Sequence, residues 1–186
     1  MQETKELTFK DQTANPAPLG LLAFGMTTVL LNLHNLGLLA MSGMILAMGV
    51  FYGGIAQVIA GVLEWKKGNT FGTLAFTSYG MFWLSLVFLV VLPKTGLVAA
   101  ADPASMAAFL LLWGVFTLLM FVGTLKHDRM SQVIFGTLTL LFFLLAAAEL
   151  TASATVLHIA GVVGLICGAS AMAGGMKQVL CPAAAH

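Results

Sequence analysis

The chain has 186 residues, 60% of them hydrophobic and 8% charged, with a mean hydropathy of +1.00. This composition excludes a soluble globular domain, and a formal net charge of +1 supplies no basic stripe for a nucleic-acid backbone. Cys167, inside an apolar run, and Cys181, near the end, fit neither a disulfide framework nor a metal-ligand spacing and are expected to be free thiols.

Residues 1–14 mix Glu3, Lys5, Glu6, Lys10 and Asp11 without an apolar core, so they read as a cytoplasmic arm and not as a cleavable signal. The string NPAPLGL, Asn15 to Leu21, then opens the first apolar run. Prolines there lose no hydrogen bond, because the first helical N–H groups have no partner inside the helix. Asn15 is placed to cap that helix, and Gly20 allows a close approach from a neighbour.

A membrane span needs about 20 mostly apolar residues. Six runs qualify, at Leu19–Gly37, Met44–Leu63, Phe71–Leu92, Met106–Leu125, Val133–Ala148 and Ala154–Met172, the last two being on the short side. The expected architecture is therefore an all-α polytopic membrane protein, with a six-helix domain over residues 15–173 and a cytoplasmic tail over 174–186. Lysine and arginine are in excess on cytoplasmic loops. Lys5, Lys10, Lys66, Lys67, Lys126, Arg129 and Lys177 fall on one side and only Lys94 on the other, which places both termini in the cytoplasm. The outer connections are then the stretch near Ser42, the loop from Lys94 to Ser105, and the turn from Glu149 to Ser153. FGTL occurs at Phe71–Leu74 and again at Phe135–Leu138, a faint echo compatible with a parallel duplication.

No lysine or arginine lies inside a span, which disfavours a primary pump. The polar groups within the spans are neutral: Thr27, Thr28, Asn32, Gln57, Thr77, Ser78, Tyr79, Thr117, Thr137, Thr139 and Ser170. Hydroxyls in membrane helices commonly bond their own backbone, whereas a mid-span amide such as Gln57 needs either an interhelical bond or a wet route. Asn32 and Asn35 share a helix face near the outer end of the first span. His34, Glu149 and His158 gather at outer ends, as candidates for proton coupling or as solvated interface residues. Asn15, Thr27, Thr28, Asn32, Asn35 and Gln57 are candidate solute contacts.

Small-residue rows at Gly49/Gly53, Ala56/Ala60 and Ala160/Gly164/Gly168 mark close helix packing. Tyr52, Trp65, Trp83 and Trp113 suit packing or interface roles, with Trp65 beside Lys66 and Lys67 as an anchor. His34, His127, His158 and His186 are dispersed, and no HExxH, CxxC, GxSxG or nucleotide fingerprint appears, so an enzyme, a metal site and a cofactor are not expected.

NPAPLGL, the following FGMTTVLLNLHN (Phe24 to Asn35), GVFYGGIAQVIAGVLEWKKGNTFG (Gly49 to Gly72), AFTSYGMFW (Ala75 to Trp83), LWGVFTLLMFVGTLK (Leu112 to Lys126) and GLICGASA (Gly164 to Ala171) together resemble the acetate uptake transporter family. The resemblance spans nearly the whole chain. It implies a six-helix subunit in a hexamer in the bacterial inner membrane, with a pathway through each subunit for acetate and related carboxylates, including succinate. It also implies a constriction at Phe24, Tyr79 and Leu138, where an apolar ring would exclude hydrated ions and the tyrosine hydroxyl would donate to a passing carboxylate. The route reads as an anion channel or a proton symporter. Alternatives are a pore for a small neutral solute, such as acetic acid, water or ammonia, and a non-transporting membrane scaffold.

Overall fold

The computed structural model describes residues 13–126 and 128–181. Most of the N-terminal arm, with Lys5 and Lys10, the end of the tail, His127 and His186 lie outside the described residues. Among the described residues, six helices are long and apolar enough to cross a membrane: α1 (Ala17–Asn35), α2 (Gly43–Lys66), α3 (Thr70–Val91), α4 (Pro103–Thr124), α5 (Arg129–Thr151) and α6 (Ala154–Leu180).

The helix ends follow capping chemistry more closely than hydropathy. Asn69, Asp102, Asp128 and Ser153 accept from the backbone N–H three residues on, at 3.0, 2.9, 3.0 and 3.4 Å, and so start α3, α4, α5 and α6. Asn15 Oδ1 accepts from Ala17 N at 3.1 Å at the head of α1. The fifth and sixth helices are longer than their apolar runs. Arg129, Ser131 and Gln132 belong to α5, and α6 continues past Met172 to Leu180. α1 ends at Asn35, just before Gly37 takes φ +73°, and α3 gives way to a 3-10 turn over Leu92–Thr95.

α1 begins and α6 finishes at one end of the bundle, where Asn15 Nδ2 donates to Gln178 Oε1 at 2.9 Å; we call this the terminal end. α1 packs along α6, α6 along α5, and α5 along α4, while α2 packs on α3 and on α1. Glycines set these spacings. A Cβ on Gly25 would stand 2.7 Å from Gly168 O, and one on Gly168 would stand 2.8 Å from Gly25 O, so α1 and α6 cross backbone to backbone. Gly61 accommodates Thr77, and Gly54 and Gly80 bring α2 against α3. Gly49 and Gly53 divide between two neighbours, since Gly49 meets Val87 of α3 and Gly53 meets Thr27 of α1. At Gly20 the close neighbour is the Phe76 ring, 2.5 Å from an added Cβ.

Within α2, residues Gly49–Ala56 form a π-helix. π turns insert a residue into the α repeat and recur at functional sites. Gln57 is the first residue after this one.

α3 and α4 meet through side chains: Phe82 stacks on Phe109 at 5.7 Å between ring centroids, and Trp113 meets Phe82 at 5.2 Å and Tyr79 at 6.1 Å. Tyr79, Phe82 and Trp83 are buried, whereas Trp65 is 69% exposed beside the lysines at the end of α2.

Candidate passage and its constriction

Two cavities lie in the bundle, and Phe24, Tyr79 and Leu138 line both. The larger, about 290 Å³, draws its walls from all six helices and reaches His34, Asn35 and Glu149 at the end away from the termini. The smaller, about 30 Å³, is walled by Leu21, Gln57, Ala75, Phe76, Ile134 and Phe135 on the terminal side of the trio. Its volume is enough to hold a water molecule.

The trio therefore separates a vestibule from a small inner chamber. Phe24, Tyr79 and Leu138 are each buried, and the Phe24 and Tyr79 rings approach to 6.0 Å. Phe135 and Phe116 brace the tyrosine ring at 6.0 and 5.6 Å. Such a ring of apolar surface opposes hydrated ions by dewetting.

The hydroxyl of Tyr79 differs from its sequence-based expectation. Its oxygen lies 2.9 Å from Thr117 Oγ1, which itself lies 2.7 Å from Trp113 O. A carbonyl only accepts, so the Thr117 proton goes to Trp113 and Tyr79 must donate to Thr117. The tyrosine proton is thus engaged inside the protein, and the donor expected for a passing carboxylate is already occupied.

Around the vestibule, Asn32 Nδ2 donates to Thr28 O at 2.8 Å, and Asn35 Nδ2 donates to Asn32 Oδ1 at 3.1 Å. Asn32 is 1% exposed and rests on Gly164, whose missing Cβ leaves the room it fills. The buried Thr28 Oγ1 and Trp83 Nε1, both from vestibule-lining residues, have no hydrogen-bond partner. His34 Nδ1 is 2.9 Å from Leu39 O. On the inner side, the buried Gln57 lines the small chamber and its Oε1 has no partner, so no interhelical bond satisfies that atom.

The remaining candidates fall elsewhere. Thr27 is buried, donating to Ala23 O at 2.9 Å with Met48 O at 3.4 Å, and lines neither cavity. Asn15 sits at the terminal end on Ala17 and Gln178 and also lines neither. His158 is exposed, with Nε2 3.9 Å from a Cβ added at Gly37, while its neighbour Leu157 reaches the vestibule. Thr137 and Thr139 bond their own helix backbone. Both cysteines are free thiols, and no cluster of metal-ligating side chains occurs among the described residues.

Sequence reading overlooked Glu64. Its buried carboxylate accepts from Asn69 Nδ2 at 2.7 Å and supports the turn into α3. A signal was available, since a lone acid closing an apolar run beside an Asn-Thr helix start is an unusual placement. Thr117 and Trp83 were read only as single residues. Their relations to Tyr79 and to the vestibule join distant parts of the chain.

A six-helix membrane bundle with an uncharged neck between two cavities defines a passage for small solutes. The chain belongs to the GPR1/FUN34/yaaH family, whose model matches residues 1–185. It is 60% identical over 167 residues to the succinate-acetate/proton symporter SatP of Escherichia coli K12, covering 90% of this chain and 89% of that protein. It is 37% identical over 161 residues to the ammonia transport outward protein 2 of Saccharomyces cerevisiae, covering 82% of this chain and 57% of the yeast protein. A solved structure of the bacterial acetate channel SatP superposes with a TM-score of 0.89 at 59% identity, covering 91% of this chain and 93% of that one.

Proposed function

We propose that this chain carries acetate and succinate across the bacterial inner membrane, through a passage within each subunit, as a channel or with proton coupling. The observation that carries the reading is the pair of cavities meeting at Phe24, Tyr79 and Leu138, in a chain so similar to a succinate-acetate symporter. The solute enters the vestibule past His34 and Glu149, exchanges water for the polar groups of Thr28, Asn32 and Asn35, crosses the neck, and meets the Gln57 amide beyond it. The absence of lysine and arginine from the walls among the described residues favours weak binding and fast release over storage.

The excess of basic residues at the terminal end orients both termini to the cytoplasm, with residues 1–14 as an arm and the chain after residue 173 as a tail. The exposed apolar helix faces suit lipid and a hexameric assembly. Uptake of radiolabelled acetate into proteoliposomes, with succinate as competitor, tests the reading. Saturable uptake above protein-free liposomes supports it; uptake equal to that of protein-free liposomes refutes it.

A second reading, passage of a small neutral solute, is favoured by the uncharged neck and by the similarity to a yeast protein named for ammonia transport. Stopped-flow alkalinisation on an ammonia jump tests it, and a rate equal to that of protein-free liposomes excludes it.

A further inference from the structure

Resting on the carboxylate reading above, we propose that the species crossing the neck is the neutral carboxylic acid, and that Thr117 enforces this choice by holding the proton of the Tyr79 hydroxyl. Thr117 is fully buried and lines neither cavity, so it acts through Tyr79 as a positioning residue.

A carboxylate stripped of water needs donors or a cation. Removing an ion from water without them costs many times what removing a neutral acid costs. Phe24 and Leu138 bring hydrocarbon to the neck, and Tyr79 brings a ring whose only proton lies on Thr117. Thr117 cannot release it without losing an acceptor, because its own hydroxyl is committed to Trp113 O at 2.7 Å. The chain Tyr79 to Thr117 to Trp113 runs in one direction only. What Tyr79 retains is a lone pair, which accepts from the O–H of an undissociated acid and repels an anion.

Among the described residues, no charged side chain lines the inner chamber beside the neck. The neighbours of the neck are Gln57 of α2, Phe82 of α3, Phe116 of α4 and Phe135 of α5, with the Cys167 thiol of α6, which donates to Ile134 O at 3.5 Å, as a titratable group in the same core. His34 and Glu149 stand at the far vestibule mouth, and Glu64 lies at the terminal end of α2, beside Gly72 and Asn69. A proton therefore crosses bonded to the carboxylate oxygen. It binds acetate in the water on one side and leaves it in the water on the other. Net proton and carboxylate move together with no charge transferred and no protein group changing protonation.

The test is acetate uptake into proteoliposomes, above protein-free liposomes, between pH 6 and 7 at fixed total acetate, with membrane current recorded in parallel. The neutral fraction of a carboxylic acid falls tenfold per pH unit above its pKa, so wild-type uptake should fall about tenfold with no acetate-dependent current. Thr117→Val removes the acceptor and frees the tyrosine proton, and should flatten that slope to below about threefold and introduce an acetate current. Thr117→Ser, which keeps the hydroxyl, should restore the wild-type slope. Tyr79→Phe, with no donor at all, should keep the steep slope and stay silent electrically at whatever rate it retains.

A wild-type current reversing at the acetate equilibrium potential overturns the proposal, as does an unchanged slope in Thr117→Val or a flattened one in Tyr79→Phe. The Tyr79→Phe arm decides the matter even where Thr117→Val does not fold. Failure of the transport reading itself looks different, because wild-type uptake would then equal that of protein-free liposomes at every pH.

Discussion

Replacing Gly168 by alanine tests the backbone-to-backbone seam of α1 and α6. The added Cβ would lie 2.8 Å from Gly25 O, 2.8 Å from Val29 Cγ2 and 3.0 Å from Val29 N. Two of these atoms are backbone and cannot rotate aside. Ordinary non-bonded separation is about 3.5 Å, so the helices must part by about 0.7 Å, a gap that forfeits a quarter to a half of each contact along the seam. Overpacking of this kind costs about 1–3 kcal/mol, equivalent to a fall in Tm of about 3–10 °C for a chain of this length. Phe24 adjoins Gly25, so the neck moves with α1 and acetate flux should change in the same variant. Gly43→Ala is the control, because an added Cβ there meets nothing within 4 Å. Thermal unfolding in one detergent, read by tryptophan fluorescence, separates the two. A Gly168→Ala Tm within about 1 °C of wild type, or an equal fall in Gly43→Ala, would refute the seam argument.

The other predictions use the same contacts. Gly20→Ala drives the Phe76 ring, 2.5 Å from the new Cβ, toward the small inner chamber it lines, so acetate uptake should fall several-fold and recover when Phe76→Leu is added; no recovery would mean that Phe76 is not the obstruction. Asn69→Ala removes the cap on Gly72 N and the donor to Glu64, costing about 1–2 kcal/mol, and faster amide exchange at Gly72 and Thr73 reads the fraying of α3. Partial burial pushes the Asp128 carboxyl up, but the Ser131 hydroxyl and the backbone amides of Ser131 and Met130 outweigh it and hold the group below the usual carboxylate range. A depressed folded-state pKa gives stability that is complete above the unfolded value near 3.9 and is lost as pH falls through the folded value. Melting curves taken down to pH 3 should therefore show Tm falling in wild type and falling less in Asp128→Asn, which still caps α5; parallel curves would exclude the linkage.

The number and order of the spans were legible because each contains an uninterrupted apolar run. The ends of α5 and α6 were not. Arg129, Ser131, Gln132, Lys177 and Gln178 look like loop residues by hydropathy, yet they continue helices whose backbone bonds are already being made. The constriction was reached through motif similarity, and the two cavities give that trio a physical meaning. The donor state of Tyr79 was hidden because it depends on Thr117, 38 residues away, and on where the Thr117 proton goes. No local pattern encodes a proton's direction.

Gln57 shows how a local irregularity can place a functional group. In an uninterrupted α-helix successive residues turn by about 100°, and each π turn adds one residue, so the helix beyond it is displaced by about one residue's rotation. The π segment Gly49–Ala56 ends immediately before Gln57, which faces the small chamber with Oε1 unpartnered. Without that extra residue the register after Ala56 would shift, and the apolar neighbours Val58 and Ala56 would compete for the same angular position. Glycine tolerates the wider turn, and Gly49, Gly53 and Gly54 fit closely against Val87, Thr27 and Leu84 there. The glycines that read as a packing row therefore have a second role, since they permit the turn that directs the mid-span amide toward the passage.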